Sequence, residues 1–200
     1  MSSERPRHAD DSALVEALKQ GDPVALADWY DRFAPDVLRV LSRILGPDLD
    51  LADIHHDVFV RALSSIRTLN DPSALRPWLI SVAVHTARTA ILRRNRGRWL
   101  RFLSFGLVPD MPAPVATRES VEAVRDVYRV LRALPTDDRV VFALRFIDGM
   151  ELQEIADACG VSLATAKRRV ARARDRFWTR ARRYPALAEW LDEEVRDGDS

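Results

Sequence analysis

Apolar residues recur along most of this chain at intervals of three and four positions, which is the spacing of one face of an α-helix. No segment stands out for the strict alternation that is typical of a β-strand. Asp22 and Pro23 form a helix start, because aspartate caps a helix and proline is tolerated in its first turn. Gly46 and Pro47 stop that helix, and Asp50 is placed to cap the next one. The pattern predicts an all-α protein.

The helical spacing is interrupted between residues 97 and 118. Three prolines lie between positions 109 and 114, and they exclude a continuous helix there. We therefore expect two small helical domains joined by a proline-bearing linker. The predicted bounds are 10–96 for the first domain, 97–118 for the linker, 119–178 for the second domain and 179–200 for a C-terminal extension. The extension is open to two interpretations, a short helix or a regulatory contact.

The segment ELQEIADACGVSLATAKRRVARAR, residues 151–174, predicts two helices that cross at a tight turn. Gly160 can take the positive φ that ends the first helix, and Ser162 can cap the second. The small side chain of Ala156 lets the second helix cross closely. This is the helix-turn-helix arrangement, whose second helix enters the major groove of DNA. The alternative is an ordinary helical hairpin with a basic face.

The second helix of this pair carries the residues that we expect to contact DNA. Its outward face is basic, and phosphate contacts position such a helix while base contacts specify the site. Its inward face is apolar, with Val170 and Phe177. The predicted DNA contacts are Ser162, Thr165, Lys167, Arg168, Ala171 and Arg172.

Charge is strongly segregated, although the net charge of the 200 residues is only +1. Residues 10–60 hold eleven acids and four bases, whereas residues 88–101 hold six arginines and no acid. Residues 161–183 hold nine bases and one acid. The two basic segments predict two contacts with a polyanion, and the acidic front predicts a protein partner. Solvated helix faces are the alternative interpretation of either basic segment alone.

Several classes of protein are disfavoured by composition. The first ten residues, MSSERPRHAD, are polar and do not resemble a signal peptide, and no apolar run is long enough to span a bilayer. The single cysteine, Cys159, excludes an internal disulfide and suits a reducing compartment. We expect a soluble cytoplasmic protein with no membrane insertion.

An enzyme would have to use the cluster at Asp53, His55, His56 and Asp57, which is rich in metal-ligand types. On a helix, positions 53 and 57 share a face and the two histidines diverge from it, so three ligands cannot converge locally. Cys159 lies in the helix-turn-helix turn, where a small buried thiol is expected rather than a nucleophile. We therefore predict no catalytic site, no metal and no cofactor.

The stretch ALPTDDRVVFALRFIDGMELQEIADACGVSLATAKRRVARAR resembles the fourth region of bacterial RNA polymerase sigma factors. The motif positions that carry the resemblance are Leu134-Pro135, Arg139 to Phe142, Gly149, Glu154 to Ala156, Gly160 to Ser162, Thr165, Lys167, Arg169 and Arg172 to Arg174.

The front half resembles the second sigma region. DIHHDVFVRAL, residues 53–63, is similar to the helix that binds the polymerase clamp, and LRPWLISVAVHTARTAILRRNR, residues 75–96, is similar to the helix that follows. The two signatures occur in order with only a linker between them. That layout is typical of the extracytoplasmic-function (ECF) sigma factors, and the resemblance covers roughly residues 12–178.

The resemblance implies specific partners. The second region of the family binds the clamp helices of the largest polymerase subunit, which implies core-polymerase contacts at Asp53, His56, Asp57 and Arg61. It also captures a flipped base of the −10 element, here with the loop 67–73, and lies along promoter DNA. The implied −10 contacts are Leu69, Asn70, Arg88, Arg93, Arg94 and Arg96.

The fourth region of the family reads the −35 element and sits on the flap of the second-largest subunit. An anti-sigma factor is a further implied partner. The departures from the family pattern are His56 for a usual glutamine, with an atypical His55 beside it, Thr89 for an expected aspartate, Leu69 for a common aromatic and Ala171 for a larger side chain. The predicted function is a sigma factor that directs core polymerase to promoters and helps open them. The alternative is a stand-alone helix-turn-helix regulator, which leaves the 53–96 pattern unexplained.

Overall fold

A computed structural model of the chain describes residues 10–46, 50–100, 118–185 and 187, with the side chains of 96–100 and 118–121 left aside. All regular structure in these residues is helical. The helices are α1 (Asp11–Gln20), α2 (Pro23–Leu45), α3 (Leu51–Ser65), α4 (Leu75–Leu100), α5 (Arg118–Arg132), α6 (Thr136–Phe142), α7 (Leu152–Cys159) and α8 (Leu163–Ala181). Short 3₁₀ turns at Ile66–Thr68 and Pro72–Ala74 join α3 to α4, and a π-helical segment, Ala143–Ile147, follows α6.

Helices α1 to α4 form the first domain, and the predicted boundaries of α2 are confirmed. The Asp22 carboxylate accepts a hydrogen bond of 2.8 Å from the Val24 N–H, with Pro23 in the first turn. Gly46 follows the helix with φ +71°. Asp50 does occupy the N-cap position of α3, but its side chain makes no capping hydrogen bond. It accepts instead from Arg94 on α4 at 2.6 Å, so an ion pair between two helices replaces the predicted local cap.

The helices flanking the predicted linker are longer than the sequence pattern indicated. Helix α4 continues to Leu100, past the predicted domain end at residue 96, and α5 begins at Arg118. Residues 101–117 lie outside the described residues, as do residue 186 and residues 188–200 of the predicted extension.

Helices α5 to α8 form the second domain around an aromatic centre. The Phe142 and Phe177 rings stack with their centroids 4.1 Å apart, which joins α6 to α8. Ile155 on α7 is fully buried and belongs to the same hydrophobic core. The domain therefore holds its last helix, α8, by packing one apolar face against α6.

The second domain caps the end of α2 in the first domain. The last carbonyls of a helix have no partner within it. The Arg139 guanidinium donates to the carbonyl oxygens of Ile44 and Leu45 at 2.9 and 3.0 Å, and the Tyr128 hydroxyl donates to that of Ser42 at 3.2 Å. Burial, with the charge of Arg132 nearby, lowers the pKa of Arg139 to about 10. The two domains are thus docked through buried hydrogen bonds.

A glycine permits this docking. A Cβ built on Gly46 would overlap the ring of Tyr128, and its φ of +71° also disfavours a side chain. Helices α6 and α7 pack on α4 in the same arrangement, and Arg39 of α2 pairs with Asp148. Within the described residues, no helix is both long and apolar enough to cross a membrane.

Candidate nucleic-acid and polymerase interface

The turn between α7 and α8 has the geometry that the sequence predicts. Gly160 takes φ +63°, and the Val161 N–H donates to the Ala156 carbonyl at 3.0 Å. The Ser162 hydroxyl caps α8 by accepting from the Thr165 N–H at 3.3 Å. A short first helix, a left-handed turn and a capped second helix are the parts of a helix-turn-helix unit.

Helix α8 divides cleanly into a buried face and an exposed one. Its buried residues recur at helical spacing and pack into the hydrophobic core; they are Ala166, Val170, Ala173, Phe177 and Ala181. The opposite face is exposed to solvent. It carries Lys167, Arg168, Ala171 and Arg172, the face expected to meet DNA.

A buried carboxylate lies behind this exposed face. The Asp138 side chain on α6 is fully inaccessible to solvent, and one of its oxygens accepts from Arg172 Nε and Nη2 at 3.1 and 2.7 Å. Its other oxygen accepts from Nη1 of Arg176, one turn further along α8. Sequence reasoning missed Asp138. The only signal was a pair of acids at the start of a short helix, which the helix dipole also explains.

The basic stripe on α4 is partly engaged within the protein. Arg88 Nε lies 2.8 Å from Asp137 on α6, and the same carboxylate lies 3.5 Å from Arg169 on α8. Arg94 pairs with Asp50, and burial lowers the pKa of Arg94. Arg93 is exposed, and the side chain of Arg96 lies outside the described residues. One carboxylate therefore links the helices predicted to contact the −10 and −35 elements.

The loop predicted to capture a base contains one buried and one exposed candidate. Leu69 is only 5% exposed and packs in the hydrophobic core, whereas Asn70 is exposed. Asp71 accepts from the backbone and the hydroxyl of Ser73 at 3.0 and 2.7 Å, which fixes the turn into α4. Of these two candidates, the Leu69 side chain is therefore buried in this structure and the Asn70 side chain is accessible.

The predicted polymerase-binding residues of α3 lie together on its exposed side. They are Asp53, His56, Asp57 and Arg61. The neighbouring His55 is buried instead, with Nε2 3.1 Å from the Ala34 carbonyl oxygen and its ring against Tyr30. The two histidines therefore point in different directions, and in the described part of the chain no three His, Cys, Asp or Glu side chains are grouped to hold a metal ion.

Two family models match the helices that carry these sites. Residues 29–97 match sigma-70 region 2, and residues 125–177 match sigma-70 region 4. The two matches lie in the predicted order and leave the linker between them. The chain belongs to the extracytoplasmic-function (ECF) sigma factors.

Curated relatives of this sigma factor cover most of its length. It is 28% identical to the ECF RNA polymerase sigma-E factor of Escherichia coli over 174 residues, which is 82% of this chain and 91% of the relative. The Haemophilus influenzae sigma-E factor is 28% identical over 182 residues, covering 82% and 92%.

Solved structures share the fold. CnrH, in complex with the cytosolic domain of CnrY, has a TM-score of 0.58 and 22% identity, covering 92% of this chain and 97% of that one. RpoE of Bartonella quintana, in complex with the anti-sigma factor NepR, has a TM-score of 0.57 and 21% identity, covering 75% and 94%.

The sigma factor directs RNA polymerase to promoters. The match over 29–97 excludes the alternative of a stand-alone helix-turn-helix regulator, which has no use for a second sigma region. Sigma factors are transcription initiation factors and are not known as enzymes.

Proposed function

We propose that the protein binds core RNA polymerase with the exposed face of α3 and reads promoter DNA with α4 and α8. The observation that carries the proposal is the exposed face of α8. That face presents Lys167 and Arg168 in the first two turns after the Ser162 cap, and those turns of a recognition helix reach base edges in the major groove. The −35 element is the expected target of this face.

Helix α3 suits a protein partner better than DNA. Its exposed side combines Asp53 and Asp57 with the apolar Val60, which is 49% exposed. Carboxylates repel phosphates, whereas a mixture of acids and an apolar side chain fits a complementary protein helix. The clamp helices of the largest polymerase subunit are the proposed partner of this face, and the flap of the second-largest subunit is the proposed partner of the second domain.

The −10 element would be held by α4 and the loop before it. Asn70 is exposed between the two short turns that join α3 to α4, and Arg93 is exposed on α4. Extruding a base costs a few kcal/mol of unstacking, which contacts with the extruded base can offset. Basic side chains along a helix can then hold the separated strand by its phosphates.

The docked arrangement cannot contact both promoter elements at once. Elements centred at −10 and −35 are about 25 base pairs apart, which is about 85 Å of DNA. In the structure Asp137 lies within 2.8 Å of Arg88 on α4 and 3.5 Å of Arg169 on α8. Promoter binding therefore requires the domains to separate, and the contacts of Arg139 and Tyr128 with α2 to break.

An anti-sigma factor is the proposed regulator. One structure with the same fold is of RpoE bound to the anti-sigma factor NepR. A partner that binds both domains in the docked arrangement would keep α4 covered and compete with polymerase for α3. Because its target is the polymerase, the protein is proposed to act in the cytoplasm.

The test is transcription from linear promoter fragments, selected with the holoenzyme from a randomised pool, using purified core polymerase. The protein should confer specific initiation, and Asp57→Arg should abolish it by weakening association with core, since a reversed charge opposes the partner surface. Asp31 is an exposed acid on α2, so Asp31→Arg makes the same change of charge away from α3 and serves as the control. Normal holoenzyme formation by Asp57→Arg in a pull-down would contradict the α3 assignment, and initiation without this protein would contradict the function.

A further inference from the structure

We propose that Asp138 is a positioning residue that presents Arg172 and Arg176 to the DNA phosphates beside the recognition helix. The proposal rests on the proposed −35 contact of α8 and adds two roles to it. Arg176 becomes a DNA contact, and Arg172 becomes a backbone contact rather than a reader of bases.

The first observation is the burial of the carboxylate. The Asp138 side chain is fully inaccessible, yet both partners are arginines whose side chains are 44% exposed. Burying a carboxylate is costly unless hydrogen bonds satisfy it, and a packed apolar residue would often serve stability equally well. Among the described residues, the carboxylate accepts hydrogen bonds from two side chains, and both belong to the solvent-facing edge of α8.

The second observation is what the contact leaves available. A guanidinium has five N–H donors in a rigid plane, and Asp138 accepts from Nε and Nη2 of Arg172 and from Nη1 of Arg176. Each arginine keeps further donors for an external anion. Fixing one edge of the plane directs the remaining donors and removes part of the ordering cost of binding a phosphate.

The third observation is the position of the two arginines along the helix. Arg172 and Arg176 are four residues apart, so they lie one above the other on the same side of α8. They follow Lys167 and Arg168 by one turn or more. The first turns of a recognition helix meet base edges, and basic residues further along meet the backbone. Two arginines oriented by one carboxylate match two successive phosphates of a strand.

The test uses the full chain assembled with core polymerase and two DNA probes. One probe is the duplex that wild-type holoenzyme enriches from a pool randomised at the −35 element, and the other is the unselected pool. Affinities are measured over a range of KCl concentrations. Asp138→Asn should weaken binding to both probes by about tenfold and lower the slope of log K against log salt by about 1, since a phosphate contact carries no sequence information.

The direction of the change in DNA affinity distinguishes a positioning role of Asp138 from a purely electrostatic effect of its charge. Asp138→Asn removes a negative charge beside a basic helix, so electrostatics alone would tighten DNA binding. Asp175→Asn is the matched control, because Asp175 is an exposed acid on the same helix, 70% accessible and 3.5 Å from Arg174. The control should bind both probes as tightly as wild type or more tightly. Equal affinity of the Asp138 and Asp175 variants would overturn the proposal.

A double-mutant cycle asks whether Asp138 acts through the two arginines. In an Arg172→Ala, Arg176→Ala background, Asp138→Asn should cost less than twofold, because the groups that it orients are gone. A full tenfold loss there, or a loss confined to the selected probe, would contradict the proposal. If Asp138→Asn does not assemble with core, Arg172→Lys takes its place. Arg172→Lys keeps the positive charge but not the planar guanidinium, so unchanged DNA binding by this variant would also contradict the proposal.

Failure of the proposal differs from failure of the proposed function. If wild-type holoenzyme enriches no −35 sequence, the function of α8 is wrong before any variant is made. If it enriches one, and Asp138→Asn binds as wild type does, only the positioning role is lost.

Discussion

The two basic segments of this protein are similar in composition, and each is partly paired with carboxylates, but they differ in how the second domain lies against them. On α4, Arg88 and Arg94 are paired with carboxylates of α6 and of the first domain's own loop. On α8, Lys167 and Arg168 are exposed on the outward face. The second domain covers part of α4 and leaves exposed its own face that is proposed to bind DNA. Basic charge in a sequence therefore indicates a polyanion contact, but the packing around it decides whether that contact is accessible.

The largest effect is expected from a change next to α4, in the loop that precedes it. Deleting Asn70 to Ser73 should abolish opening of duplex promoters, because it removes the exposed side chain that is proposed to capture a base and the turn that starts α4. Recognition of the −35 element by α8 should persist, as should polymerase binding. Permanganate footprinting on duplex and premelted templates is the measurement. The premelted template bypasses part of the unpairing cost, so activity there should fall less, and unchanged duplex opening would remove this loop from the melting step.

Undocking the domains should expose α4 without altering the face of α8. Arg139→Ala removes two buried hydrogen bonds to the end of α2, each contributing about 1 kcal/mol. Cys159 reports on the docking, because it lines a cavity between α4 and α7, and burial raises its pKa to about 11 from 9.0. The thiolate is the reactive form, so its reaction with a disulfide reagent at pH 8 should quicken by up to roughly a hundredfold on undocking.

Arg168→Ala is the control for that labelling experiment, since Arg168 lies on the exposed face of α8 and not among the buried residues of that helix. Labelling of Cys159 at the wild-type rate in the Arg139 variant would show that Arg139 does not hold the domains together. Far-UV circular dichroism at the labelling temperature confirms that each variant remains folded.

A smaller effect is expected on the α8 side alone. Arg168→Ala should cost about 1–3 kcal/mol of binding to the selected promoter and relax discrimination at one base position, as the loss of a base contact does. Competition binding by holoenzyme on single-base variants of the −35 element measures this. An equal loss on random DNA would make Arg168 a phosphate contact.

The smallest effect is expected at Asp137, which lies between the basic side chains of α4 and α8. Asp137→Asn removes the charge that joins Arg88 to Arg169. The Arg88 and Asp137 side chains are 46% and 29% exposed, so the pair should contribute less than about 1 kcal/mol to docking. Because the Asp137 charge itself helps to raise the pKa of Cys159, labelling should quicken slightly even in the docked state. The labelling rate should rise by no more than about fivefold in total, and less at high salt, where the charges are screened. A change as large as that from Arg139→Ala would place the main docking energy at this ion pair.

The sequence by itself determined the features that depend on neighbours along the chain. The start of α2 at Asp22, its end at Gly46 and the helix-turn-helix turn at Gly160 and Ser162 all rest on local backbone chemistry, and each was found where predicted. The apolar period likewise identified the buried side of α8, including Val170 and Phe177. Caps, turns and helix faces are set within a few residues, so they can be read without knowledge of the fold.

Only the tertiary structure decided which polar residues are available. His55 is buried and His56 exposed, and Leu69 belongs to the core although its loop position predicted a DNA contact. The contact of Arg139 with Ile44 joins residues 95 positions apart, and that of Asp138 with Arg172 joins residues 34 apart. No local pattern encodes such pairs, because they form only when separate helices pack together.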